Sequence, residues 1–182
     1  MQARNASARA AEWEVRALLA RDLVSRVAAM LGENGIRVVP LKGVLLAAAA
    51  PDRPLGRPLT DADVLVGPRE LRRAAVSLER GGFRRVAEDA FSVTLAAPGE
   101  PLALDLHGEL FPAGMFDLDA TGVLARARLD RDRFGAPVLW PRGEDAFAHL
   151  VGHFVKGRHG PLDRARAEDF ERAAARLALE PD

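Results

Sequence analysis

The spacing of apolar residues changes along the chain, and each change predicts the boundary of an element. Helical spacing over residues 8–34 predicts one long amphipathic helix, which Gly35 ends. The apolar side chains of its predicted buried face are Val15, Leu18, Leu19, Leu23, Val27, Met30 and Leu31. A short β-type run and a second apolar helix follow at 36–41 and 44–50, and the proline-rich segment 51–60 is predicted to be a loop.

The second half of the chain alternates between strand-like and helical patterns. The predicted elements are, in order, a strand at 61–66, a helix from Pro68 to about Arg80, strands near 83–86, 91–96 and 102–107, a loop or short helix at 111–122, weak strands near Leu129 and Val138, and helices at 144–156 and about 162–177. This order predicts an α+β or mixed α/β fold with a helical C-terminal part. We expect a core over residues 1–140, including the N-terminal helix, and a helical appendage over 141–182 that packs on it.

Composition excludes several classes of protein. The chain has no cysteine, which excludes disulfides and thiolate metal sites. No apolar run has the length of a membrane span, and the N-terminus lacks the pattern of a signal peptide, so we expect a cytoplasmic protein. The formal net charge is zero, so no global positive field attracts nucleic acid, although a local basic patch stays open.

Two carboxylates open the strand predicted at 61–66. Residues i and i+2 of a strand share a face, so Asp61 and Asp63 point the same way while Ala62, Val64 and Val66 point into a core. Adjacent carboxylates repel each other unless a cation lies between them, and Mg²⁺ binds few protein carboxylates and fills its shell with phosphate oxygens and water. The pattern therefore predicts a magnesium site.

The same spacing of two aspartates occurs at two other places. Asp117 and Asp119 lie in a loop-like region, where we expect Asp119 to cap a helix. Asp130 and Asp132 lie among arginines and indicate a solvated charge cluster. Only the pair at 61 and 63 begins an apolar strand, which favours that pair as the chemical one.

The strand predicted at 102–107 repeats the alternation. Leucines fill one face, whereas Asp105 and His107 occupy the other. If this strand neighbours the first, Asp105 completes a site of three carboxylates that is able to share two metal ions. An edge strand with a polar outer face would show the same pattern.

A lysine and a glycine mark the junction before the second helix. Free N–H groups at a helix N-terminus, a glycine that permits close approach, and the charge of Lys42 predict a cradle for a triphosphate at Lys42 and Gly43. A surface lysine at a turn is the alternative. The chain contains only two lysines, Lys42 and Lys156, against 24 arginines.

The motifs LKGVLLA, RPLTDADVLV, GGF and LALDLHGEL together resemble the uncharacterised nucleotidyltransferase family of the polymerase-beta superfamily. The resemblance covers about residues 36–110, with a looser helical match at 144–172. It implies a mixed sheet flanked by helices, two Mg²⁺ ions, and transfer of a nucleoside monophosphate from a nucleoside triphosphate, with ATP as the expected donor, to an acceptor hydroxyl on a small molecule or a protein.

The resemblance also implies site residues. Asp61 and Asp63 match the metal-binding pair, and Asp105 matches the third carboxylate, which can also act as the base for the acceptor. Lys42 and Gly43 stand where the superfamily has a Gly-Ser phosphate loop, so the role of Lys42 rests on its charge and place. Arg57 either contacts phosphate or steers the carboxylates.

Two other functions stay open from the sequence. A catalytically weak nucleotide-binding or regulatory module, of the kind found in toxin–antitoxin pairs, would keep the same fold. A zinc hydrolase would use His149 and His153, which share a helical face, with His107 and Asp105. For the C-terminal helix we expect Phe147, Leu150, Val151 and Phe154 to carry the packing. The sequence assigns no definite role to His107, His149, His153 or Lys156.

Overall fold

The structure is a computed structural model that describes residues 2–51, 55, 57–157, 170–171 and 173–177, with the backbone alone for residues 2–8. Its helices are α1 Gln2–Gly32, α2 Lys42–Ala49, α3 Leu71–Arg80, which a 3-10 turn at Pro68–Glu70 precedes, α4 Ala120–Arg126 and α5 Gly143–Lys156. Its strands are β1 Val39–Pro40, β2 Asp61–Leu65, β3 Arg84–Glu88, β4 Ser92–Ala96, β5 Ala103–His107, β6 Arg128–Asp130 and β7 Val138–Trp140.

Five strands form one mixed sheet in the order β1-β2-β5-β4-β3. Strands β2 and β5 are parallel, and every other neighbouring pair is antiparallel. Strands β6 and β7 form a separate antiparallel pair, which the bond from the N–H of Leu139 to the carbonyl of Val38 ties to the segment before β1. This mixed sheet flanked by helices confirms the predicted fold class.

The main core lies on one face of the sheet. Ala62, Val64 and Leu104 are fully buried there, beneath the apolar sides of α1 and α3. The alternation that the sequence predicted for β2 and β5 is therefore confirmed. Burying one large apolar side chain contributes about 1.5–3 kcal/mol, so this face holds the two strands firmly in place.

A smaller core covers part of the opposite face. Its buried members come from β1, β2, β7, α4 and the loop after β5, and they are Val39, Leu41, Leu65, Leu110, Phe111, Ala120, Val123 and Leu139. Leu65 lies on the same face of β2 as Asp61 and Asp63, two residues beyond Asp63. The polar half of this face is thus bounded by apolar packing at one end.

One local prediction was wrong, and another agrees with the structure. Val15 and Leu18 are more than half exposed, because the core contacts begin further along α1, where Leu23 and Val27 are fully buried. The segment 111–122, predicted as a loop or short helix, becomes helical at Ala120, where α4 begins. The side chain of Asp119 accepts a hydrogen bond from the N–H of Gly122 at 2.7 Å, which confirms Asp119 as a helix cap.

The C-terminal helix predicted over 162–177 lies mostly outside the described residues. Residues 170–171 and 173–176 are helical, and Ala173 and Leu177 are buried in the main core. Within the described part of the chain, no helix combines the length and the apolar character needed to cross a membrane.

Candidate functional site

The register of the two parallel strands places two aspartates side by side. Asp63 on β2 lies directly opposite Asp105 on β5, and Leu65 lies opposite His107. Because side chains alternate along a strand, Asp61, Asp63, Asp105 and His107 all project from the face opposite the main core. The three predicted carboxylates therefore share one surface of the sheet.

Asp63 is the most enclosed of these acids. One of its oxygens, Oδ1, lies 2.5 Å from the Lys42 ammonium nitrogen and accepts a hydrogen bond from Nε2 of His107 at 2.9 Å. Burial alone would raise the pKa of Asp63, but the hydrogen bond from His107 and the charge of Lys42 outweigh burial and hold that pKa well below its usual value. Asp63 is thus a fixed negative charge.

Asp105 is oriented by the neighbouring strand β4. The hydroxyl of Thr94, which lies opposite Asp105 in the register, donates a hydrogen bond to Oδ1 of Asp105 at 2.8 Å. Sequence reasoning missed Thr94. The signal was present in the alternation of β4, because Thr94 falls between the buried Val93 and Leu95 and so lies on the acidic face.

Asp61 lies within electrostatic reach of the other two aspartates. Burial raises the pKa of Asp61, and the negative charges of Asp63 and Asp105 raise it further, whereas Lys42 and Arg57 act in the opposite direction.

A ligand atom from each of Asp63, Asp105 and His107 lies within 4.8 Å of the other two. Clustered carboxylate oxygens that repel one another fit a hard divalent cation such as Mg²⁺.

Lys42 reaches Asp63 from the first residue of α2. The N–H of Leu41 donates to the carbonyl oxygen of Asp63 at 3.0 Å, which fixes the start of α2 beside β2. Lys42 has a φ of 47°, in the left-handed region that side-chain-bearing residues seldom adopt. Among the described residues, no side chain caps the N-terminus of α2. The first N–H groups of this helix are therefore suited to an anion.

Gly43 and Arg57 meet at the same place. A Cβ atom on Gly43 would lie 2.5 Å from Cδ2 of Leu59 and 3.6 Å from Nη2 of Arg57. Leu59 is buried, so a larger residue at 43 has no room without displacing it. The structure thus brings Gly43 next to Arg57, and the charges of Lys42 and Arg57 both act on Asp61.

Helix α5 presents an almost fully buried histidine to this cluster. His149 is only 3% exposed, and burial, followed by the positive charges of Lys42 and His107, lowers its pKa to about 3. The ring of Phe111 packs against it with a centroid distance of 5.4 Å, and a Cβ atom on Gly152 would lie 2.6 Å from Phe111. His149 is therefore neutral and part of the wall beside the acids.

The prediction for the packing face of α5 was wrong in one respect. Val151 is 37% exposed, whereas Ala146, His149 and Gly152 are buried. Arg126 of α4 makes two hydrogen bonds, at 3.0 and 2.8 Å, to the two carboxylate oxygens of the buried Asp145. This ion pair turns the helix so that His149 faces inwards.

The remaining metal candidates from the sequence find other partners. Oδ1 of Asp130 accepts hydrogen bonds from the N–H groups of Asp132 and Arg133, and Asp130 forms an ion pair with Arg133, as expected for a charge cluster. The rings of His149 and His153 lie 6.4 Å apart, and among the described residues neither belongs to a group of three metal ligands.

A cavity of about 680 Å³ lies away from this cluster, between the end of α1 and the outer side of α3. Its lining includes Arg69, Arg72, Arg73 and Arg80 but none of the predicted site residues. Helices α1 and α3 cover the opposite face of the sheet from the aspartates, so this cavity is separate from the candidate site.

Comparison with known proteins supports the same class of fold. The sequence model of a family described as uncharacterised nucleotidyltransferase matches residues 2–170. No curated protein sequence gives a significant match.

Several solved structures resemble the chain in fold. A crystal structure of ANT(2'')-Ia in complex with adenylyl-2''-tobramycin has a TM-score of 0.61 at 14% identity and covers 88% of this chain and 90% of its own. The lincosamide antibiotic adenylyltransferase LnuA, with lincomycin bound, has a TM-score of 0.53 at 13% identity over 80% of this chain and 90% of its own. A nucleotidyltransferase-like protein from Paracoccidioides brasiliensis has a TM-score of 0.52 at 14% identity, over 85% of this chain and 74% of its own. At these identities the likeness concerns the fold.

Proposed function

Because the chain belongs to the uncharacterised nucleotidyltransferase family, we propose that it transfers a nucleoside monophosphate from a nucleoside triphosphate to an acceptor hydroxyl, with Mg²⁺ as the metal. The observation that carries the proposal is the pairing of Asp63 with Asp105 across β2 and β5, with Asp61 on the same face. Polar side chains that meet on one face of a sheet, beside the N-terminus of a helix, are what a metal–triphosphate site requires.

The metal set in this proposal is Asp61, Asp63 and Asp105. Bound there, two Mg²⁺ ions would lower the pKa of the acceptor hydroxyl and neutralise the charge that develops on the leaving pyrophosphate. Asp105 is also the proposed acceptor of the hydroxyl proton, and the hydrogen bond from Thr94 to its Oδ1 fixes the orientation of the carboxylate for that role.

The phosphate-binding set is Lys42, Gly43 and Arg57. The N–H groups at the start of α2 point out of the helix without a cap from any described side chain, and Gly43 lets a phosphate approach the backbone. The positive charges of Lys42 and Arg57 both act on Asp61, which places them within electrostatic reach of the metal set. In the proposed reaction the acceptor oxygen attacks the α-phosphorus, the bond to the β-phosphate breaks, and pyrophosphate leaves.

ATP is the proposed donor and a small molecule the proposed acceptor. Two proteins with a similar fold are described as an adenylyltransferase and as a complex with an adenylylated antibiotic. In this chain the acceptor pocket is proposed to lie between the loop 111–119 and α5, where Met115 and Phe116 expose apolar surface beside the buried Phe111. A protein side chain is the alternative acceptor.

Residues 141–182 are proposed to be a helical appendage packed on a core of 1–140. Ala146 of α5, together with Ala173 and Leu177, lies in the main core, and the Arg126–Asp145 pair joins α5 to α4. A cytoplasmic location is proposed as well.

Thermal unfolding with and without nucleotide tests the proposal without knowledge of the acceptor. ATP with Mg²⁺ at about 100 times its dissociation constant should stabilise the protein by about 2.7 kcal/mol, which raises the Tm by about 5–10 °C. Asp61→Asn and Asp63→Asn should abolish this shift, whereas Asp132→Asn, an exposed aspartate in the β6–β7 turn, should keep it.

Pyrophosphate release in the presence of a library of hydroxyl compounds then separates the enzyme from its alternatives. Release that Asp61→Asn and Asp105→Asn eliminate supports the transferase. Binding of Mg·ATP without release from any compound supports the regulatory module. A tightly bound zinc ion in the purified protein, without any ATP-dependent shift in Tm, would contradict the proposal and favour the hydrolase.

A further inference from the structure

The ion pair between Lys42 and Asp63 occupies an atom that the proposed metal needs. The Lys42 ammonium and the His107 ring both contact the same oxygen, Oδ1 of Asp63. The side chains of Lys42 and Asp63 are 14% and 6% exposed, so water screens this pair little. Lysine is a compact charge that suits one oxygen, whereas almost every other cationic residue of this chain is arginine, which suits two.

The backbone holds Lys42 in place at a cost. Among the described residues, Lys42 is the only residue other than glycine with a positive φ. Such a conformation is unfavourable for a residue with a side chain and persists only where the surroundings enforce it, as they often do at functional sites. Both neighbours of Lys42 are constrained: Leu41 donates its N–H to the carbonyl of Asp63, and Leu59 leaves no room for a Cβ atom at Gly43.

Oδ1 of Asp63 already accepts hydrogen bonds from the Lys42 ammonium and the His107 ring. Magnesium binds carboxylate oxygens at about 2.1 Å, so an ion on this oxygen would lie very close to an ammonium 2.5 Å from it, and an ion on the other oxygen would still face that charge at short range with little screening. Repulsion therefore favours movement of Lys42 away from Asp63 when a divalent cation enters. A triphosphate beside the start of α2 offers the ammonium new oxygen partners within the same region.

We propose that Lys42 is an internal counterion, which neutralises Asp63 in the metal-free protein and transfers to the triphosphate when metal and nucleotide enter together. Lys42 is thus a positioning residue that couples the two ligands. The metal alone binds weakly because the nearby ammonium repels it and has no new partner to move to, and the nucleotide supplies that partner. This inference rests on the proposed function, since it concerns the same site.

Binding of Mn²⁺, a paramagnetic substitute for Mg²⁺, to Lys42→Met tests the exchange by electron paramagnetic resonance. Removal of the competing charge should tighten binding of Mn²⁺ alone by about tenfold, and should weaken binding of ATP in the presence of Mn²⁺ by about tenfold. Damage to the fold would weaken the binding of both ligands, so a gain in affinity for Mn²⁺ together with a loss in affinity for ATP is specific to the exchange. Lys42→Arg should keep the weak binding of the metal alone, and Lys156→Met, which removes the other lysine, should leave both affinities unchanged.

The wild-type protein provides a second measurement, in which a variant of the site serves only to assign a signal. Reductive methylation with ¹³C-formaldehyde labels only the two lysines and the terminal amine, so Lys42 gives a separate NMR signal, which Lys42→Arg assigns. The Lys42 signal should shift on addition of Mg²⁺ with the non-hydrolysable α,β-methylene-ATP and shift little with Mg²⁺ alone, while the Lys156 signal stays in place.

Two outcomes overturn the inference. One is a Lys42→Met protein that binds Mn²⁺ alone no more tightly than the wild type. The other is a Lys42 signal that is unchanged by Mg²⁺ with the ATP analogue although the analogue binds. Absence of any binding of metal and ATP to the wild type would instead refute the proposed function, so the two failures are distinguishable.

Discussion

Asp63 and Asp105 lie directly opposite each other on adjacent parallel strands, and each is held by a different neighbour. Lys42 and His107 contact Asp63, whereas Thr94 donates to Asp105. One carboxylate is therefore neutralised by a cationic side chain of the same protein, and the other is only oriented. This asymmetry makes the consequences of removing each acid different.

Removal of Asp61 should stabilise the metal-free protein. Its pKa is raised by burial and by Asp63 and Asp105, so the ionised carboxylate opposes folding near neutral pH. Asp61→Asn should raise the free energy of unfolding by about 0.5 kcal/mol at neutral pH in EDTA, or about 1–2 °C in Tm. The gain should shrink as the pH falls through the raised pKa, because the wild-type carboxyl then becomes neutral as well.

Urea denaturation in EDTA at neutral and acidic pH measures this effect. Asp132→Asn is the matched control, since that aspartate is exposed and lies in the turn of the separate β6–β7 pair, and its stability should stay within about 0.5 kcal/mol of the wild type. A loss of stability in Asp61→Asn would show that Asp61 is already neutralised by its surroundings.

Removal of Asp63 should have the opposite effect. The pKa of Asp63 is lowered in the folded protein, so its ionised form stabilises the fold above the ordinary carboxyl pKa of about 3.9, and this contribution is lost as the pH falls below that value. Asp63→Asn leaves Lys42 partly buried without its counterion and should cost about 3 kcal/mol near neutral pH.

The difference in the free energy of unfolding between the wild type and Asp63→Asn should narrow as the pH falls to about 3 and below. The wild-type protein then loses the stabilisation that its ionised carboxylate provides. Urea titrations followed by circular dichroism at each pH measure this difference. An equal difference at neutral and acidic pH would mean that the substitution disturbs packing rather than charge pairing.

The sequence predicted which side chains share a face of a strand more reliably than it predicted which residues of different strands become neighbours. Alternation in β2 and β5 predicted which side chains face the main core and which lie on the opposite face of the sheet, because that period is a local property of a strand. The pairing of Asp63 with Asp105 depends on which strands become neighbours and in what register. Both follow from the connection of β2 to β5 through α3, β3 and β4 and from the packing of distant apolar residues, so the family resemblance indicated the convergence before any local pattern did.

Helix faces were harder to predict where apolar residues surround the helix. In α5, apolar side chains occupy several faces, and the Arg126–Asp145 pair together with Phe111 selects the face with His149 rather than Val151. In α1, Leu18 fits the apolar period but lies where no described core residue covers it. Neither outcome is encoded in the spacing of residues within the helix itself.

His149 should make stability depend on pH in the weakly acidic range. Its pKa is lowered to about 3 in the folded protein, whereas an unfolded histidine titrates near 6.5, so the unfolded state binds the extra proton below that value. The free energy of unfolding therefore decreases as the pH is lowered, by about 2 kcal/mol between pH 6.5 and pH 5 from this residue alone. His149→Gln should remove that component and flatten the profile.

NMR titration of the histidine ring protons gives the direct check, with His149→Gln to assign the signal. The His149 signal should not titrate between about pH 7 and pH 5. A midpoint near the ordinary value would show that the wall around His149 opens to water, and the profile of the variant would then match the wild type.

Gly43 should be intolerant of even a methyl group. A Cβ atom there would lie 2.5 Å from Cδ2 of the buried Leu59, so Gly43→Ala must displace that side chain or the start of α2. Overpacking of this kind costs about 1–3 kcal/mol in the free energy of unfolding. Gly32→Ala is the matched control: a Cβ at that last residue of α1 meets no described atom within 4 Å, and the exchange should be neutral or slightly stabilising.

A double-mutant cycle separates the clash from a backbone requirement. Leu59→Ala alone should cost about 2–5 kcal/mol, but it removes the atom that Gly43→Ala strikes, so the combined loss should be smaller than the sum by at least about 1 kcal/mol. Additive losses in urea denaturation would mean that α2 needs glycine for its backbone conformation. Because Lys42 precedes this contact, Gly43→Ala should also weaken the stabilisation by Mg·ATP, and Leu59→Ala in the same chain should restore part of it.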